Sequence, residues 1–305
     1  MRFRGALMMV ALSVMGAAII WRIAVAEMAP ARWGSDGHRM ATRAAVAILP
    51  DDLPPFLREG GEQLEYLGPE PDRWYSRGFQ AMSEAWRYDH YIDMERVPAR
   101  ARNSMDRYEF LEVLYGAGIS RPHDVVGFLP FRIMELYQRL TTEFSIWRLA
   151  SSGSERRWIE ARILNDAGLL GHYVVDSAQP HHTTIHFNGW ADGAPNPEGF
   201  TESREFHSQF ESGFVRAHLS YDAIVPLLPE APRRLGNVRE SVWSFIEESN
   251  RLVEELYRLE KEFGFDPSEP PNPETREFVA LRLAQGAEML ATIWWTAWLN
   301  SEDLA

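Results

Sequence analysis

The sequence predicts a mainly helical fold; two observations lead to that prediction, and a third marks one exception to it. Apolar residues recur at spacings of three and four over long stretches, which is the period of an amphipathic helix. Proline and glycine clusters separate these stretches and mark the connecting loops. One short segment around His90 has the aromatic and β-branched neighbours that are typical of an extended or buried stretch. We therefore expect most of the chain to be helical.

The first 32 residues are expected to be an export signal. Arg2 and Arg4 give it a positive start, and residues 5–20 form an apolar run that is too short to span a bilayer comfortably. Small residues at 24–26 and 29–31 offer sites for signal peptidase. The prediction is an exported protein, periplasmic or extracellular, and an uncleaved membrane anchor is the alternative.

Residues 33–305 are predicted to form one domain, because no internal repeat or low-complexity run divides them. A first helix is expected just after Gly37, with His38 in its first turn. Residues 53–93 are interpreted as loop-rich, since proline and glycine pairs punctuate them. Further helices are expected within 104–149, over 155–176, around 207–211, from about 238 to 263 and over 274–299.

Charge and cysteine content exclude some functions. The chain has a formal net charge of −13, and because residues 1–32 hold four arginines and one glutamate, the remainder carries −16. Such an acidic protein fits poorly with binding long nucleic acid through a basic groove. It would also repel a phosphate group unless metal ions supplied positive charge locally. With no cysteine in the chain, any zinc must be held by His, Asp, Glu or backbone groups.

The stretch from His172 to His182 holds three metal-competent side chains. His172 and Asp176 are four residues apart, so they share one face of a helix. Pro180 cannot continue that helix, so the chain should turn beforehand and present His182 from another direction. We therefore expect these three side chains to converge on one point.

A second pair, His207 and Glu211, repeats the four-residue spacing on a segment that is also predicted to be helical. Imidazole and carboxylate groups suit zinc, and a site that leaves a coordination position open would be catalytic. His181 and His186 are rivals of His182 for the ligand position that follows the helix.

Three further candidates are weaker when taken singly. A histidine at a helix start, such as His38, is usually a surface or capping residue. Asp72 follows a proline in a turn, where a helix N-cap is as ready an explanation as a ligand. His90 lies between two tyrosines, so it is either a hydrogen-bonded core imidazole or a metal ligand.

Taken together and in order, these residues resemble the zinc-dependent phospholipase C and single-strand-specific nuclease superfamily. The resemblance consists of Trp-Gly with a histidine five residues after the tryptophan, an aspartate in a turn, His-Tyr-Ile-Asp, His-x-x-x-Asp-x-x-Gln-Pro-x-His and His-x-x-x-Glu. It runs from Trp33 to Glu211 and extends more loosely to the closing helix at 282–298.

The resemblance implies an all-α domain with a cleft that holds three zinc ions. One ion would take Asp72, His90, His172 and Asp176, a second would share Asp176 with His38 and with the amino group and carbonyl of Trp33, and a third would take His182, His207 and Glu211. Paired ions in such a site lower the pKa of a bound water from about 16 to near 7, so that it can attack phosphorus. Asp72 would be both a ligand and the base for that water.

The resemblance also implies a phosphodiester substrate. Glu211 as the last ligand is similar to the bacterial phospholipases, so a phospholipid is favoured. The five-residue step from Trp33 to His38 is instead similar to the nucleases, so single-stranded nucleic acid is the alternative substrate. Arg73 stands where choline-binding phospholipases carry an aromatic residue, which argues against choline selectivity.

Two interpretations from other classes remain open on the sequence. One is a metal-binding protein without turnover, and the other is a helical protein whose histidines are buried for packing alone. Trp294, Trp295 and Trp298 are expected to pack in the core, and a membrane-facing aromatic patch that would contact a lipid surface transiently is the alternative. No protein partner is predicted.

Overall fold

The computed structural model describes residues 34–74 and 78–305. Over these residues the fold is all-α: the structure is 71% helical, and its β pairing is limited to two isolated bridges, Ile92 with Gly127 and Phe187 with Gly189. The helical prediction is therefore confirmed. Trp33 and the predicted export signal lie outside the described residues. In the part of the chain that is described, no helix combines the length and apolar character that a membrane span requires.

The longer helices alternate with short helical turns. The longer ones are α1 (Gly34–Ala47), α2 (Gly61–Leu67), α3 (Gln80–Trp86), α4 (Arg107–Gly116), α5 (Leu129–Leu149), α6 (Gly153–Ser177), α7 (Val238–Arg251), α8 (Val253–Phe263) and α9 (Pro273–Asn300). The short α-helical turns are Pro55–Glu59, Glu70–Arg73, Pro122–Val125, Phe206–Ser208, Val215–His218 and Tyr221–Ile224. The 3₁₀ turns are Arg87–His90, Met94–Arg96, Ala99–Asn103, Pro180–Thr183, Val225–Leu227 and Ser301–Leu304, and Gln209–Phe214 is a π-helix.

Helix α6 is the central element of the fold. It packs against α1, α2, α5 and α9, and its residues from Asp166 to Ser177 are all buried. The Ser152 side chain caps its first turn by accepting from the Glu155 N–H at 3.1 Å. The helix ends at Ser177, three residues before Pro180, as the sequence predicts. Its buried C-terminal half carries His172 and Asp176 into the interior.

Glycine allows α2 to approach α6 closely. A Cβ atom built at Gly168 of α6 would lie 2.4 Å from the Cβ of Leu67, which is the last residue of α2. Any side chain at position 168 would therefore push the two helices apart. The close approach brings the backbone of Gly68, which follows α2, to the side of α6 that carries His172.

Three boundary predictions were wrong. The first helix begins at Gly34 rather than after Gly37, so His38 lies inside it. Residues 53–93, interpreted as loop-rich, are largely a series of short helices, because proline starts several helical turns at the position where its missing N–H costs nothing. The helix expected from 238 to 263 is two helices with a break at Leu252.

The break at Leu252 has a tertiary cause. The Ser249 hydroxyl donates to the Ser177 carbonyl at 2.7 Å, and the Asn250 amide donates to the Thr183 carbonyl at 2.9 Å. These bonds tie the end of α7 to the turn that carries His182. A contact between segments so distant in sequence leaves no periodic signal in the 238–263 stretch.

The aromatic residues of α9 pack inside the protein. Trp294 is fully buried and its indole N–H donates to the Ala167 carbonyl at 3.2 Å. Trp298 is buried against Phe144, and Trp295 is partly buried. The packing interpretation of this trio is confirmed, and the alternative of an exposed aromatic patch formed by them is wrong.

Candidate metal centre

Eight of the nine sequence-derived ligand candidates lie in the described residues, and the structure brings all eight together from separate elements. His38 comes from α1, Asp72 from the turn Glu70–Arg73, His90 from the turn Arg87–His90, His172 and Asp176 from α6, His182 from the turn Pro180–Thr183, and His207 and Glu211 from the helical segment 206–214. They form three groups that could each hold a metal ion, with donor atoms within 4.8 Å of one another: His38, His172 and Asp176; Asp72, His90 and His172; His182, His207 and Glu211.

Asp176 is the residue that connects the groups. Its Oδ2 lies 3.1 Å from His90 Nδ1 and 3.2 Å from His172 Nε2. Its Oδ1 lies 3.1 Å from His182 Nδ1 and 3.5 Å from His38 Nε2. One fully buried carboxylate therefore faces four imidazoles.

The third group lies where the chain leaves regular α-helical geometry. His207 is the middle residue of the short α-helical turn Phe206–Ser208, and Glu211 lies in the π-helix that follows it, with His207 Nε2 3.0 Å from Glu211 Oε2. The Nε2 atom of His182 is 3.2 Å from His207 Nε2 and 3.6 Å from Glu211 Oε2. Single π-helical turns occur frequently at functional sites. Here the turn leaves both side chains directed at His182.

The separations between donor atoms fit a shared cation. Zinc bonds of about 2.0–2.1 Å in a tetrahedron put neighbouring ligand atoms about 3.3 Å apart. In the group of Asp72, His90 and His172 the three separations are 2.9, 3.7 and 3.9 Å, and the distances in the third group bracket the same value. The observed donors are imidazole nitrogens and carboxylate oxygens, the set that suits zinc in a chain without cysteine.

Unpartnered polar atoms support the same conclusion. His38 is fully buried, and neither of its ring nitrogens has a hydrogen-bond partner. His182 Nδ1 and Asp176 Oδ1 are close but are not aligned for a hydrogen bond with each other or with another group. A buried polar group without a partner costs free energy, and a cation between these atoms would remove that cost.

The charge distribution draws positive charge to the cluster. Burial opposes ionisation of Asp176, but His172 and His182 outweigh it and hold the pKa of this carboxyl well below its usual range. Burial likewise opposes ionisation of Glu211, but His207 and His182 lower its pKa to about 2. Burial lowers the pKa of His38 well below the ordinary value of histidine. The same carboxylates raise the pKa of His182 to about 10 against the effect of burial, and Asp176 raises the pKa of His172 as well. A metal ion that binds here would displace these protons from the imidazoles.

Backbone and amide groups around the ligands fix their orientation. His172 Nδ1 donates to the Gly68 carbonyl at 2.9 Å, which leaves Nε2 as the atom that faces the cluster. The Gln179 amide donates to Glu211 Oε2 at 3.4 Å. Sequence reasoning missed Gly68 because a backbone carbonyl has no residue-type signal, whereas Gln179 belongs to the motif that was recognised.

A cavity of about 710 Å³ opens onto the cluster, with His90, His182 and His207 in its lining. His38, His172 and Asp176 lie beneath them and are fully buried. The cluster can therefore be reached by a small molecule from one side. The same cavity is lined by Arg87 and Arg96, two residues that no sequence pattern had singled out.

The two rivals of His182 have other surroundings. His181 is buried against the rings of Phe206 and Phe210, and neither of its nitrogens has a hydrogen-bond partner. His186 stacks on Trp190 with ring centroids 3.7 Å apart. Neither belongs to one of the three groups of potential ligands. The His182 assignment therefore agrees with the geometry.

Comparison with known proteins adds no family assignment. A scan against protein-family models gives no match, and a search of curated proteins finds no similar chain. The site contains three buried or nearly buried groups of histidine and carboxylate side chains that could hold metal ions, and one cavity opens onto them.

Proposed function

We propose that this protein is an exported, zinc-dependent hydrolase of phosphodiesters, most similar in chemistry to phospholipase C, with single-stranded nucleic acid as the alternative substrate. The observation that carries the proposal is the arrangement of the three ligand groups. His172 belongs to two of them, and Asp176 lies 3.1 Å from a histidine of the third. Ions held this close together are typical of sites that act on phosphate esters.

The overall charge supports a site that uses cations. The ligand carboxylates Asp72, Asp176 and Glu211 add negative charge to a body that is already strongly acidic. A phosphodiester is an anion, so it would enter such a cleft only if cations offset these charges. When bound, zinc supplies Lewis-acid chemistry and makes hydroxide available at neutral pH.

Asp72 is the most exposed of the three carboxylates among the ligand candidates. Its side chain is 18% exposed, whereas those of Asp176 and Glu211 are fully buried. Its Oδ1 lies 3.7 Å from His172 Nε2 and 3.9 Å from His90 Nδ1. This position suits a residue that orients a water molecule and accepts a proton from it, in addition to acting as a ligand.

The test uses the exported, processed protein as purified, with its N-terminal residue determined by intact mass. Its metal content is measured, and turnover is compared on dispersed phosphatidylcholine and on single-stranded DNA before chelation, after chelation and after zinc is restored. We expect turnover of one of these substrates, loss on chelation and recovery with zinc. A folded protein that binds zinc but turns over neither these two nor a chromogenic phosphodiester would contradict the proposal.

A pair of histidine variants provides the matched control. His207→Gln removes a ligand at the edge of the cavity, where the remaining structure can adapt, and is expected to abolish turnover. His123→Gln changes a histidine outside the ligand groups, one whose ring contacts Tyr88, and this variant is expected to retain turnover. Equal activity of the two variants would count against the proposed site.

A further inference from the structure

The cavity above the metal cluster contains two arginines that the proposed chemistry does not use. Arg87 begins the 3₁₀ turn that ends at His90, and Arg96 ends the turn Met94–Arg96. Both line the cavity together with His90 and His182. The lining also contains Asp93 and Asp124, which pair with these arginines, so the charge of this part of the cavity depends on how far the two carboxylates cancel the guanidinium groups.

Both arginines are attached to the same neighbouring segment. Arg87 Nη2 donates to Asp124 Oδ1 at 3.2 Å, and Arg96 Nη1 donates to the Val125 carbonyl at 3.0 Å. The hydroxyl of Tyr91, which also lines the cavity, donates to the Asp124 carbonyl at 2.7 Å. The residues therefore form one wall of the cavity, and the guanidinium groups are held in place before any ligand arrives.

These contacts do not saturate the guanidinium groups. The contacts of Arg87 with Tyr88, Glu84 and Asp124 all use Nη2, so Nη1 is left for a ligand. The Arg96 side chain is 44% exposed, and its contacts with Val125 and Asp93 both use Nη1. Each group keeps N–H donors for a ligand, and the planar fork of arginine matches phosphate and carboxylate oxygens.

The acidic partners only partly cancel the positive charge of this wall. Burial raises the pKa of Asp93 to about 7, so this partner of Arg96 is incompletely ionised at neutral pH. Asp124 is shared between Arg87 and Arg121, whose Nη2 donates to Asp124 Oδ2 at 2.8 Å. Glu84 Oε2 also lies 3.5 Å from Arg87 Nη2, so Arg87, Arg96 and Arg121 face Asp124, Glu84 and the incompletely ionised Asp93. The remaining positive excess is small, and it favours an anion.

We propose that Arg87 and Arg96 form an anion subsite that selects phosphodiesters with a second negatively charged group on the esterified alcohol and disfavours those with a cationic group. The inference rests on the proposed function, since it places the scissile phosphate at the metal cluster and the second anion at the arginine wall. The chemical class is the same whether that anion is a further phosphate or a carboxylate. The two arginines are specificity residues and hold no metal ion.

The experiment uses three p-nitrophenyl phosphodiesters that differ in the charge of the second alcohol: glycolate is anionic, ethanol is neutral and choline is cationic. Binding is measured by calorimetry on the zinc-loaded full-length protein, with the non-hydrolysable p-nitrobenzylphosphonate monoesters of the same three alcohols. We expect the glycolate compound to bind at least about tenfold more tightly than the choline compound, as charge-assisted hydrogen bonds predict. Hydrolysis of the three phosphodiesters should follow the same order.

Three variants decide whether the arginines cause that order. Arg87→Gln and Arg96→Gln should each weaken the binding of the glycolate compound about tenfold, while the affinity for the neutral compound stays nearly unchanged. Arg121→Gln is the comparison variant, because it removes an arginine that contacts the same Asp124 but is 65% exposed and does not line the cavity. Since Asp124 would then pair with Arg87 alone, a loss of preference clearly smaller than in Arg87→Gln is expected. If Arg87→Gln does not fold, Arg96→Gln, at an exposed position, still tests the inference.

The outcomes separate this inference from the proposed function. Equal binding of the three compounds, or a preference for the choline compound, would overturn the anion subsite. An equal loss of affinity for all three compounds in both variants would also overturn it, because that result indicates a merely structural role of the arginines. If the expected binding order is found but none of the phosphodiesters is hydrolysed, the subsite stands and the proposed function fails. If the phosphodiesters are hydrolysed but the three compounds bind without charge preference, the proposed function stands and the anion subsite fails.

Discussion

Helix α6 carries two buried polar clusters that differ in what surrounds their carboxylates. At its C-terminal end Asp176 faces four imidazoles. Ten residues earlier Asp166 is also buried, and it pairs with Arg139 of α5, which lies 3.7 Å from Glu143 as well. Arg162 of α6 lies 3.9 Å from the same Glu143 oxygen. Both clusters bury a carboxylate of α6, yet among the described residues only the first contains potential metal-binding groups.

The two clusters shift carboxyl pKa values in opposite directions. Burial raises the pKa of Glu143 to about 7, with Asp166 adding to the effect, because the arginines that oppose it are more than half exposed to solvent. The pKa of Glu211 falls instead to about 2, because His207 and His182 outweigh burial there. Arginine cannot release its proton, whereas histidine can exchange a proton for a metal ion. The type of cation beside a buried carboxylate thus separates a structural cluster from a candidate metal site.

The largest expected effect comes from neutralising Asp176, the central carboxylate of the candidate metal centre. Asp176→Asn keeps the shape of the side chain but removes the charge that faces four histidines, so we expect loss of most bound metal and a decrease of at least about a hundredfold in kcat/KM. Metal analysis and phosphodiester turnover check this. Asp166→Asn, in the arginine cluster of the same helix, should keep both metal and activity. Equal metal loss in the two variants would remove the distinction between the clusters.

Removal of the metal should destabilise the protein, and this effect should depend on the cluster around Asp176 but not on the arginine cluster around Asp166. We expect chelation at pH 7.5 to lower Tm by about 10 °C, because bound ions stabilise the folded state and their loss leaves buried carboxylates and imidazoles uncompensated. Asp166→Asn should respond to the chelator as the unaltered protein does. Asp176→Asn should hardly respond, and a full response in that variant would show that its metal lies elsewhere.

A smaller effect is expected from separating α2 and α6. Gly168→Ala should destabilise the fold by about 2 kcal/mol, because its Cβ would overlap Leu67. It should also weaken metal binding, since the Gly68 carbonyl that orients His172 would move. Gly153→Ala is the control in the same helix, where the nearest atom to the added Cβ is 3.8 Å away. Urea unfolding and zinc titration measure the two effects.

The smallest effect concerns the arginine cluster and depends on pH. Because the folded-state pKa of Glu143 is raised from 4.5 to about 7, its ionisation opposes folding increasingly as pH rises through this interval, and the penalty is complete above it. Glu143→Gln should therefore be more stable than the unaltered protein by about 1 kcal/mol at pH 8 and should show no gain at pH 4. Unfolding curves at both pH values test this. A loss of stability at pH 8 would mean that the arginines compensate Glu143 fully.

Local sequence patterns were sufficient for most of the longer helices and for the ligand candidates His172, Asp176, His182, His207 and Glu211. His38, Asp72 and His90 were assigned as ligands only through the family resemblance. Apolar periodicity predicted α5, α6 and α9, because a helix buried on one or more faces repeats its contacts every three to four residues. The four-residue spacings of His172 with Asp176 and of His207 with Glu211 predicted pairs that share a helix face. The stop before Pro180 predicted where the chain turns towards His182. Each of these features depends only on neighbours in the sequence.

Other features were decided only by tertiary structure. The approach of His38 and His90 to Asp176 depends on how α1 and the turn Arg87–His90 pack on α6, and separations of many residues along the chain carry no information on that packing. The break at Leu252, the Gly68 carbonyl behind His172 and the arginine wall of Arg87 and Arg96 have the same origin. Backbone carbonyls and surface arginines have no distinctive spacing, so their role becomes visible only where the folded chain places them beside a buried charge or a cavity.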